Sequence, residues 1–413
     1  MSPPLEGVRV VELTTAWAGP FAGRVLAWFG AETFHVESAT RTNTWRVNRD
    51  APRAVNYPDL DPGNRPFDRS FLFNSQNVNK RSLAIDLKIP EGLAALRRLL
   101  DVSDVLLCNF RPGFLARIGL DRATLAQTNP GIIVLQMPAF GTSGPHAGYA
   151  ALGPTMEMAA GMSAMIAYPG GEPTVTGPSY LDPIGGFNAA AAVMTALWHR
   201  DRTGEGQEIE MGQVECAMQF IGPELIAGED VEQQGNRVRD MAPHSAYPAR
   251  GEDEWIVIAA TDDEAFAALC RAMDRPELAR NFASLEARKQ AETMLDAEIA
   301  RWTVGQDKHE LARRLQAAGI AAAPVNTPAD LAGWDYLDAR ASLVELDHPE
   351  AGRHPHMGLP FHAETHRGGA RTAAPCFGAD NLYLLRDVLK MSDGEIEDAL
   401  ASGAFADRPN AGV

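Results

Sequence analysis

The chain has 413 residues, of which 45% are hydrophobic and 22% are charged, and this composition is ordinary for a globular protein of two or three domains. Its formal net charge of −17 argues against a nucleic-acid partner, because the phosphate backbone would repel it. The absence of a long apolar run argues against a membrane span, and the N-terminus lacks a signal-peptide pattern, so we expect a cytoplasmic protein.

The cysteines are too scattered to form a recognisable motif. They are Cys108, Cys216, Cys270 and Cys376, with no CxxC pair and no Cys/His spacing suited to zinc. We therefore expect reduced thiols and no metal site.

The first third of the chain alternates strand-like and helix-like segments. It opens with "VRVVEL" (8–13), continues through a Gly/Pro loop "TTAWAGPFAG" (14–23), and then predicts a helix over 24–30 and a strand over 33–38. Further segments of the same kind are strands over 82–87, 104–110 and 131–137 and a helix over 90–100, with an irregular surface excursion over 40–70. This order predicts a parallel, doubly wound α/β sheet.

The rest of the chain predicts a second, smaller region. The predicted elements are a helix over 184–199, a strand over 208–214, a polar linker near 226–245, a strand over 254–260, helices near 262–275, 286–300 and 307–318, and a Gly, His and Pro-rich tract over 350–376. Ser392 and Glu395 have capping-box spacing and predict a closing helix.

Asp182 precedes the apolar run "GGFNAAAAVMTALW" and has two interpretations. Asp followed by Pro183 is a common helix start, so Asp182 is expected to be the N-cap. Alternatively, the carboxylate is a nucleophile that the helix dipole keeps ionised. The local sequence does not choose between them.

A nucleotide or phosphate site is the other candidate. Glu37 at the end of the second strand suits a dinucleotide site, but "AGPFAG" is not GxGxxG, and Pro20 removes a backbone donor. The basic residues of the first domain indicate either solvated surface charge or a local phosphate site; they are Lys80, Arg81, Lys88, Arg111 and Arg117.

Several blocks together resemble the class III CoA-transferase family, also called the CaiB/BaiF type. They are "LEGVRVVELTTAWAGPFAGRVLAWFGAETFHVE", "NVNKRSLAIDLKIPEG", "DVLLCNFRPGFLARIGLD", "NPGIIVLQMPAFGTSGP", "ALWHRDRTGEGQEIEM", "GNRVRDMAPHSAYPARGEDEWIVIA" and "LQAAGIAAAPVNT". The resemblance implies a Rossmann-like large domain from both chain ends (1–224 and 326–413), a small α+β domain (225–325), and an interlocked homodimer.

The resemblance also implies the chemistry. Asp182 matches the family's nucleophile, which forms an anhydride and then an aspartyl-CoA thioester. Coenzyme A would enter as the acyl-CoA substrate, with no permanently bound cofactor and a carboxylic acid as the second substrate. The implied CoA contacts are Trp17, Ala18, Ile85, Asp86, Leu87, Lys88, Asn109, Phe110, Arg111 and Arg117. Ser38 stands where several relatives have Arg, and Arg41 is a candidate replacement.

Two alternatives share the fold. An α-methylacyl-CoA racemase needs a histidine upstream of the aspartate, where this chain has Gly153, although His146 is nearby. A non-catalytic subunit of a heteromeric transferase is the other. Trp17 and Gly153 stand where relatives that use very small, doubly charged acids have polar side chains. These two residues therefore favour larger, partly apolar acids as substrates. Met158, Met162 and Met165 have helical spacing and are expected in the core or, as an alternative, along the site.

Overall fold

The computed structural model describes residues 2–46, 54–168, 170–228, 235–365 and 368–410. The chain forms two compact units: Met1–Ser163, Val175–Glu229 and Leu337–Val413 make up the first, and Ala164–Thr174 and Asp230–Tyr336 make up the second. Part of the predicted linker, 229–234, lies outside the described residues, as do 366–367 of the Gly, His and Pro-rich tract. The three domain ranges expected from the sequence stay a prediction.

A six-stranded parallel sheet organises the first unit. Its strands are β1 Arg9–Leu13, β2 Glu32–Glu37, β3 Lys80–Ala84, β4 Val105–Cys108, β5 Ile133–Gln136 and β6 Glu208–Glu210. Their order is β3-β2-β1-β4-β5-β6, with every neighbouring pair parallel. The predicted parallel sheet is confirmed, and its strand order is that of dinucleotide-binding folds.

Helices account for most of the remaining regular structure. They are α1 Ala18–Trp28, α2 Pro66–Arg69, α3 Phe71–Gln76, α4 Pro90–Asp101, α5 Phe114–Arg117, α6 Arg122–Leu125, α7 Gly153–Ala159, α8 Met162–Met165, α9 Leu181–Thr203, α10 Gln213–Met218, α11 Gly222–Ala227, α12 Asp263–Ala272, α13 Pro276–Asn281, α14 Leu285–Gln290, α15 Glu292–Thr303, α16 Lys308–Ala317, α17 Pro328–Ala332, α18 Asp335–Ala339, α19 Asn381–Tyr383 and α20 Asp393–Ala401. Short helical turns lie at Ala54–Asn56, Pro58–Leu60, Gln219–Ile221 and Leu384–Val388.

Helices cover both faces of the parallel sheet. Val11 of β1 points to one face, where it shares a core with Leu96 of α4 and Ile396 of α20. Val10 points to the other face, where it shares a core with residues of α1 and α9, such as Val193. This alternation follows from the two-residue period of a strand.

Helix α1 begins at Ala18, so the predicted loop over 14–23 is wrong in its second half. Proline is tolerated in a first helical turn, where Pro20 lies. The glycines that suggested a loop instead allow close packing: a Cβ at Gly19 would lie 2.7 Å from Thr14 Cβ, and one at Gly23 would lie 1.8 Å from Glu12 Oε2.

The predicted strand over 208–214 is also shorter than expected. Only Glu208–Glu210 pairs with β5, and the chain enters α10 at Gln213. Val214 and Ala217 explain the change, because both are buried in a small core with Met156 and Leu181.

The second unit is an α+β structure with its own core. Its antiparallel sheet has the order β7-β8-β9, with β7 His244–Pro248, β8 Trp255–Ala259 and β9 Ala321–Pro324. Ile256 and Ile258 pack against Leu269 of α12 and Leu311 of α16. The predicted helix over 286–300 is two helices, α14 and α15, which meet at Ala291.

The last part of the chain returns to the first unit. It forms an antiparallel pair, β10 Leu343–His348 and β11 Gly352–Met357, and ends with α20. The predicted capping box is confirmed, since Ser392 Oγ accepts from the Glu395 amide and Glu395 Oε2 accepts from the Ser392 amide. Among the described residues, no helix is both long and apolar enough to cross a membrane.

Candidate active site

The carboxyl ends of the parallel strands open onto one cavity of about 1460 Å³ within the first unit. Leu13 ends β1, Glu37 ends β2 and Asn109 follows β4, and all three line this cavity. Open α/β sheets bind ligands at this edge, where the loops after the strands converge. The cavity is therefore the candidate active site.

Asp182 lines the cavity from the first turn of α9. The expectation that it is the N-cap is wrong: Tyr180 precedes the helix in helical conformation, and no side chain caps that end. Two backbone amides lie near the Asp182 carboxylate and favour its charged form: its own, which donates to the Ser179 carbonyl at 3.1 Å, and that of Ala18, the first residue of α1. Two helix N-termini therefore converge on one carboxylate, an arrangement that favours negative charge.

Burial opposes that charge and sets the acidity of the site. Partial removal from water raises the pKa of Asp182 to about 6, and the two nearby backbone amides oppose this rise. At neutral pH roughly nine-tenths of the carboxylates are ionised and desolvated. Such a group is available as a nucleophile without a separate base.

Glycines bring the two helices close enough for the contact between Ala18 and Asp182. A Cβ at Gly186 of α9 would lie 2.7 Å from Phe21 Cδ1 and 3.0 Å from the Ala18 carbonyl oxygen. Any larger residue would push α1 away from α9. The run of small residues after Asp182 is thus a packing requirement of the site.

Gly153 closes the other side of Asp182. A Cβ at this first residue of α7 would lie 2.3 Å from Asp182 Oδ2 and 2.5 Å from Ser179 Cβ. No side chain fits at Gly153 unless the carboxylate moves. His146 is outside the cavity lining, and its ring contacts Phe140 and Tyr149.

Nearly all of the residues that the family resemblance implies as CoA contacts line the cavity. Those that line it are Ala18, Ile85, Asp86, Leu87, Lys88, Asn109, Phe110, Arg111 and Arg117. Trp17 is outside the lining and packs instead against Trp45, with 5.3 Å between ring centroids. Both polar ends of Asn109 are used within the protein: Oδ1 accepts from the Thr15 amide at 2.9 Å, and Nδ2 donates to the Thr15 carbonyl at 2.8 Å.

The five basic residues of the first domain that suggested a phosphate site lie in two different places. Lys88, Arg111 and Arg117 line the cavity together with Arg41, which gives this part of the cavity a positive character. Ser38 also lines it, and its hydroxyl accepts from the Arg41 amide at 3.1 Å.

Lys80 and Arg81 lie elsewhere. Lys80 Nζ is buried and donates to Glu12 Oε1 at 2.6 Å and to the Pro20 carbonyl at 2.7 Å. Burial lowers the pKa of Lys80 to about 8, against the opposing effect of Glu12. Arg81 pairs with Glu32 and Asp380. Neither belongs to the candidate site.

Gln213 is a lining residue that the sequence motifs did not indicate, and core packing of the three methionines is confirmed only for Met162. Gln213 follows β6, lines the cavity beside Asp182, and donates from Nε2 to the Met137 carbonyl at 2.7 Å. Its place after a strand end was the available signal. Met158, Met162 and Met165 are divided between α7 and α8, so the predicted single helix is wrong, and none of the three lines the cavity. Met162 is buried in the core, whereas Met158 is exposed.

No group of His, Cys, Asp and Glu within the described ranges could hold a metal ion. Burial raises the pKa of Cys108 to about 12.

Comparison with known proteins identifies the family. The sequence profile of CoA-transferase family III matches residues 5–381. The chain belongs to this family. The family expected from the sequence is therefore confirmed.

Individual relatives in CoA-transferase family III match over nearly the whole chain. The succinyl-CoA–D-citramalate CoA-transferase of Chloroflexus aurantiacus is 32% identical over 402 residues, covering 95% of this chain and 96% of the relative. The succinyl-CoA–L-malate CoA-transferase beta subunit of the same organism is 29% identical, covering 96% of each. The crystal structure of a CaiB/BaiF family protein from Brucella suis superposes with a TM-score of 0.84 at 27% identity, covering 94% of this chain and 100% of that one.

Proposed function

We propose that this member of CoA-transferase family III moves CoA from an acyl-CoA donor to a carboxylic acid, with Asp182 as the nucleophile. The observation that carries the proposal is the position of the Asp182 carboxylate. It is half-buried in the cavity at the strand ends, lies near the Ala18 amide, and has its pKa raised to about 6 by burial.

Each step of the proposed exchange conserves the activated acyl bond. The Asp182 carboxylate attacks the thioester carbonyl and expels CoA thiolate, which leaves a mixed anhydride. The thiolate then attacks the aspartyl carbonyl, releasing the first acid and leaving an aspartyl-CoA thioester. The incoming carboxylate attacks this thioester, and the same two steps run in reverse to release the new acyl-CoA. No proton is consumed, which suits a site with an ionised carboxylate and no histidine among its described lining residues.

The positive part of the cavity supports binding of CoA. Lys88, Arg111 and Arg117 would face phosphate oxygens, and Phe110 beside them offers an aromatic face. In this assignment Asn109 positions the first loop, because its amide is already bonded to Thr15.

The lining near Asp182 supports a larger, partly apolar acid. Pro138, Ala139, Leu152 and Met156 line the cavity on this side, and Gly153 adds no side chain. A second carboxylate on the substrate would find apolar neighbours there, and an unpaired buried charge is strongly disfavoured. We expect kcat/KM for oxalate with formyl-CoA to lie far below that for a branched, aromatic or alicyclic acid. Comparable values would contradict this part of the proposal.

The alternatives are less consistent with the site. A racemase requires a second acid/base group, and a side chain at Gly153 would overlap Asp182. The relatives include the beta subunit of a succinyl-CoA–L-malate CoA-transferase, which motivates the alternative of a non-catalytic subunit, but an aspartate in a formed cavity favours a catalytic chain.

The decisive experiment is trapping of the intermediate. Incubation with acyl-CoA followed by hydroxylamine should convert one carboxylate to a hydroxamate, which peptide mass spectrometry should locate at Asp182. Asp182→Asn should lose the label and reduce transfer by several orders of magnitude while the far-UV spectrum stays unchanged. Label on another residue, or an active Asn variant, would refute the assignment.

Assembly is a separate part of the proposal. An interlocked homodimer cannot separate without partial unfolding, so dilution to nanomolar concentration should leave the mass unchanged in light scattering. A monomer at that concentration would refute the interlocked arrangement, and a requirement for a second, different chain would refute the homodimer.

A further inference from the structure

The loop between β1 and α1 has a conformation that its own residues disfavour. Ala16 has a φ of +57°, in the left-handed region, which a residue with a Cβ rarely adopts. Two residues later, Ala18 lines the cavity together with Asp182, and its backbone amide lies near the Asp182 carboxylate. The geometry at the nucleophile therefore depends on a strained loop that other residues must hold.

Two asparagine side chains hold this loop from different elements. Asn109, after β4, bonds both backbone groups of Thr15: its Oδ1 accepts from the Thr15 amide, and its Nδ2 donates to the Thr15 carbonyl. Asn43 contacts the strained residue itself: its Oδ1 accepts from the Ala16 amide at 3.2 Å and from the Trp45 amide at 3.0 Å. Asn43 is only 2% exposed, so water does not compete for these bonds.

A buried network fixes the orientation of the Asn43 side chain. Its Nδ2 lies 3.5 Å from His35 Nε2, and His35 Nδ1 lies 2.7 Å from Glu12 Oε1. Because Asn43 Oδ1 already accepts from two backbone amides, Nδ2 is the group that faces His35 Nε2, and a donor there suits the tautomer in which His35 donates from Nδ1 to Glu12. The backbone N–H of Asn43 also donates to Glu37 Oε2 at 3.1 Å, which fixes the position of the backbone at this residue. A flipped side chain would place an NH₂ group against two N–H donors.

We propose that Asn43 is a positioning residue for CoA transfer, because it holds Ala16 so that the Ala18 amide stays near the Asp182 carboxylate. The inference rests on the proposed role of Asp182 as nucleophile. It adds a residue that nothing in the sequence motifs singled out.

The test compares Asn43→Ala with the wild type. Asn129→Ala is the matched control: the Asn129 side chain also bonds two backbone groups, in its case the carbonyls of Leu100 and Ser103, but it does not line the cavity. The measurement is the single-turnover rate of hydroxylamine-trapped labelling at saturating acyl-CoA, together with the final labelled fraction.

We expect Asn43→Ala to slow labelling by about 10- to 100-fold, since a misplacement near 1 Å is worth about 100-fold. Its final labelled fraction should equal that of the wild type, because folded molecules still react. Asn129→Ala should leave the rate unchanged. These rates follow the placement of the nucleophile, whereas a loss of folded protein would change only the labelled fraction.

Two outcomes overturn the inference: an Asn43→Ala rate within threefold of wild type, or an equal loss in Asn129→Ala. If Asn43→Ala yields no folded protein, Asn43→Ser is interpreted in the same way, because its shorter side chain does not reach Ala16. Failure of the wild type to label at Asp182 refutes the proposed function instead, so the two failures are distinguishable.

Discussion

Gly153→Ala is the substitution that most directly probes the space around Asp182. The new Cβ would lie 2.3 Å from Asp182 Oδ2, whereas non-bonded contacts of carbon prefer about 3.5 Å. Ser179 Cβ at 2.5 Å blocks a shift of the methyl group the other way, so the carboxylate must move by about 1 Å. A displacement of this size reduces the rate by about 100-fold, or about 2.7 kcal/mol in activation free energy.

The assay is single-turnover CoA release at saturating acyl-CoA, with thermal unfolding measured on the same samples. Gly148→Ala is the control, because its added methyl meets nothing within 4 Å and its rate should stay within about twofold of wild type. We expect Gly153→Ala to fold and to bind acyl-CoA while its maximal rate falls by about two orders of magnitude. A rate within threefold of the wild type would refute the argument that Gly153 sets the position of the nucleophile.

Three further predictions concern charge and packing. The rate of CoA release should fall about tenfold for each pH unit below about 6, because burial raises the pKa of Asp182 to about 6 and only the ionised form attacks. A rate that stays constant down to about pH 5 would contradict this prediction. Asp182→Asn should raise the free energy of unfolding at pH 7 by about 2–3 kcal/mol, because the ionised carboxylate destabilises the folded protein. Urea titrations should show that this gain disappears as the pH falls below about 4, where Asp182 is protonated in both the folded and the unfolded protein. Gly23→Ala should lower the free energy of unfolding by about 1–3 kcal/mol, because its Cβ would lie 1.8 Å from Glu12 Oε2. Gly394→Ala is the control: its Cβ has open space, so the substitution should be neutral or stabilising.

The parallel sheet could be predicted from the sequence because its signal is local. Each buried strand is a short apolar run, and a strand such as β5, with Val134 and Leu135 fully buried, differs clearly from the loops beside it. Capping at Ser392 was predictable for the same reason, since both partners lie within one helical turn.

The features that were wrong depend on neighbours distant in the sequence. Gly19 and Gly23 suggested a loop, but their lack of a side chain serves packing against Thr14 and Glu12. Lys80 looked like surface charge, and only the fold places it against Glu12. The contact of Asp182 with Ala18 likewise joins residues more than 160 positions apart, so its role as a cap could not be distinguished from its role in a site.

The return of the C-terminal segment to the parallel sheet affects how the protein is made. Asn381 bonds the Ala84 amide beside β3, and Ile396 of α20 completes the core on one sheet face. About 285 residues separate the end of β4 from α20, so at 5–20 residues per second the ribosome needs about 15–60 s to supply the missing cover. During that interval Leu96 and its neighbours have no partners from the C-terminal segment, so nascent chains are an aggregation risk that chaperones must limit. Slow translation of the final segment would therefore reduce the yield of soluble protein even with every active-site residue intact.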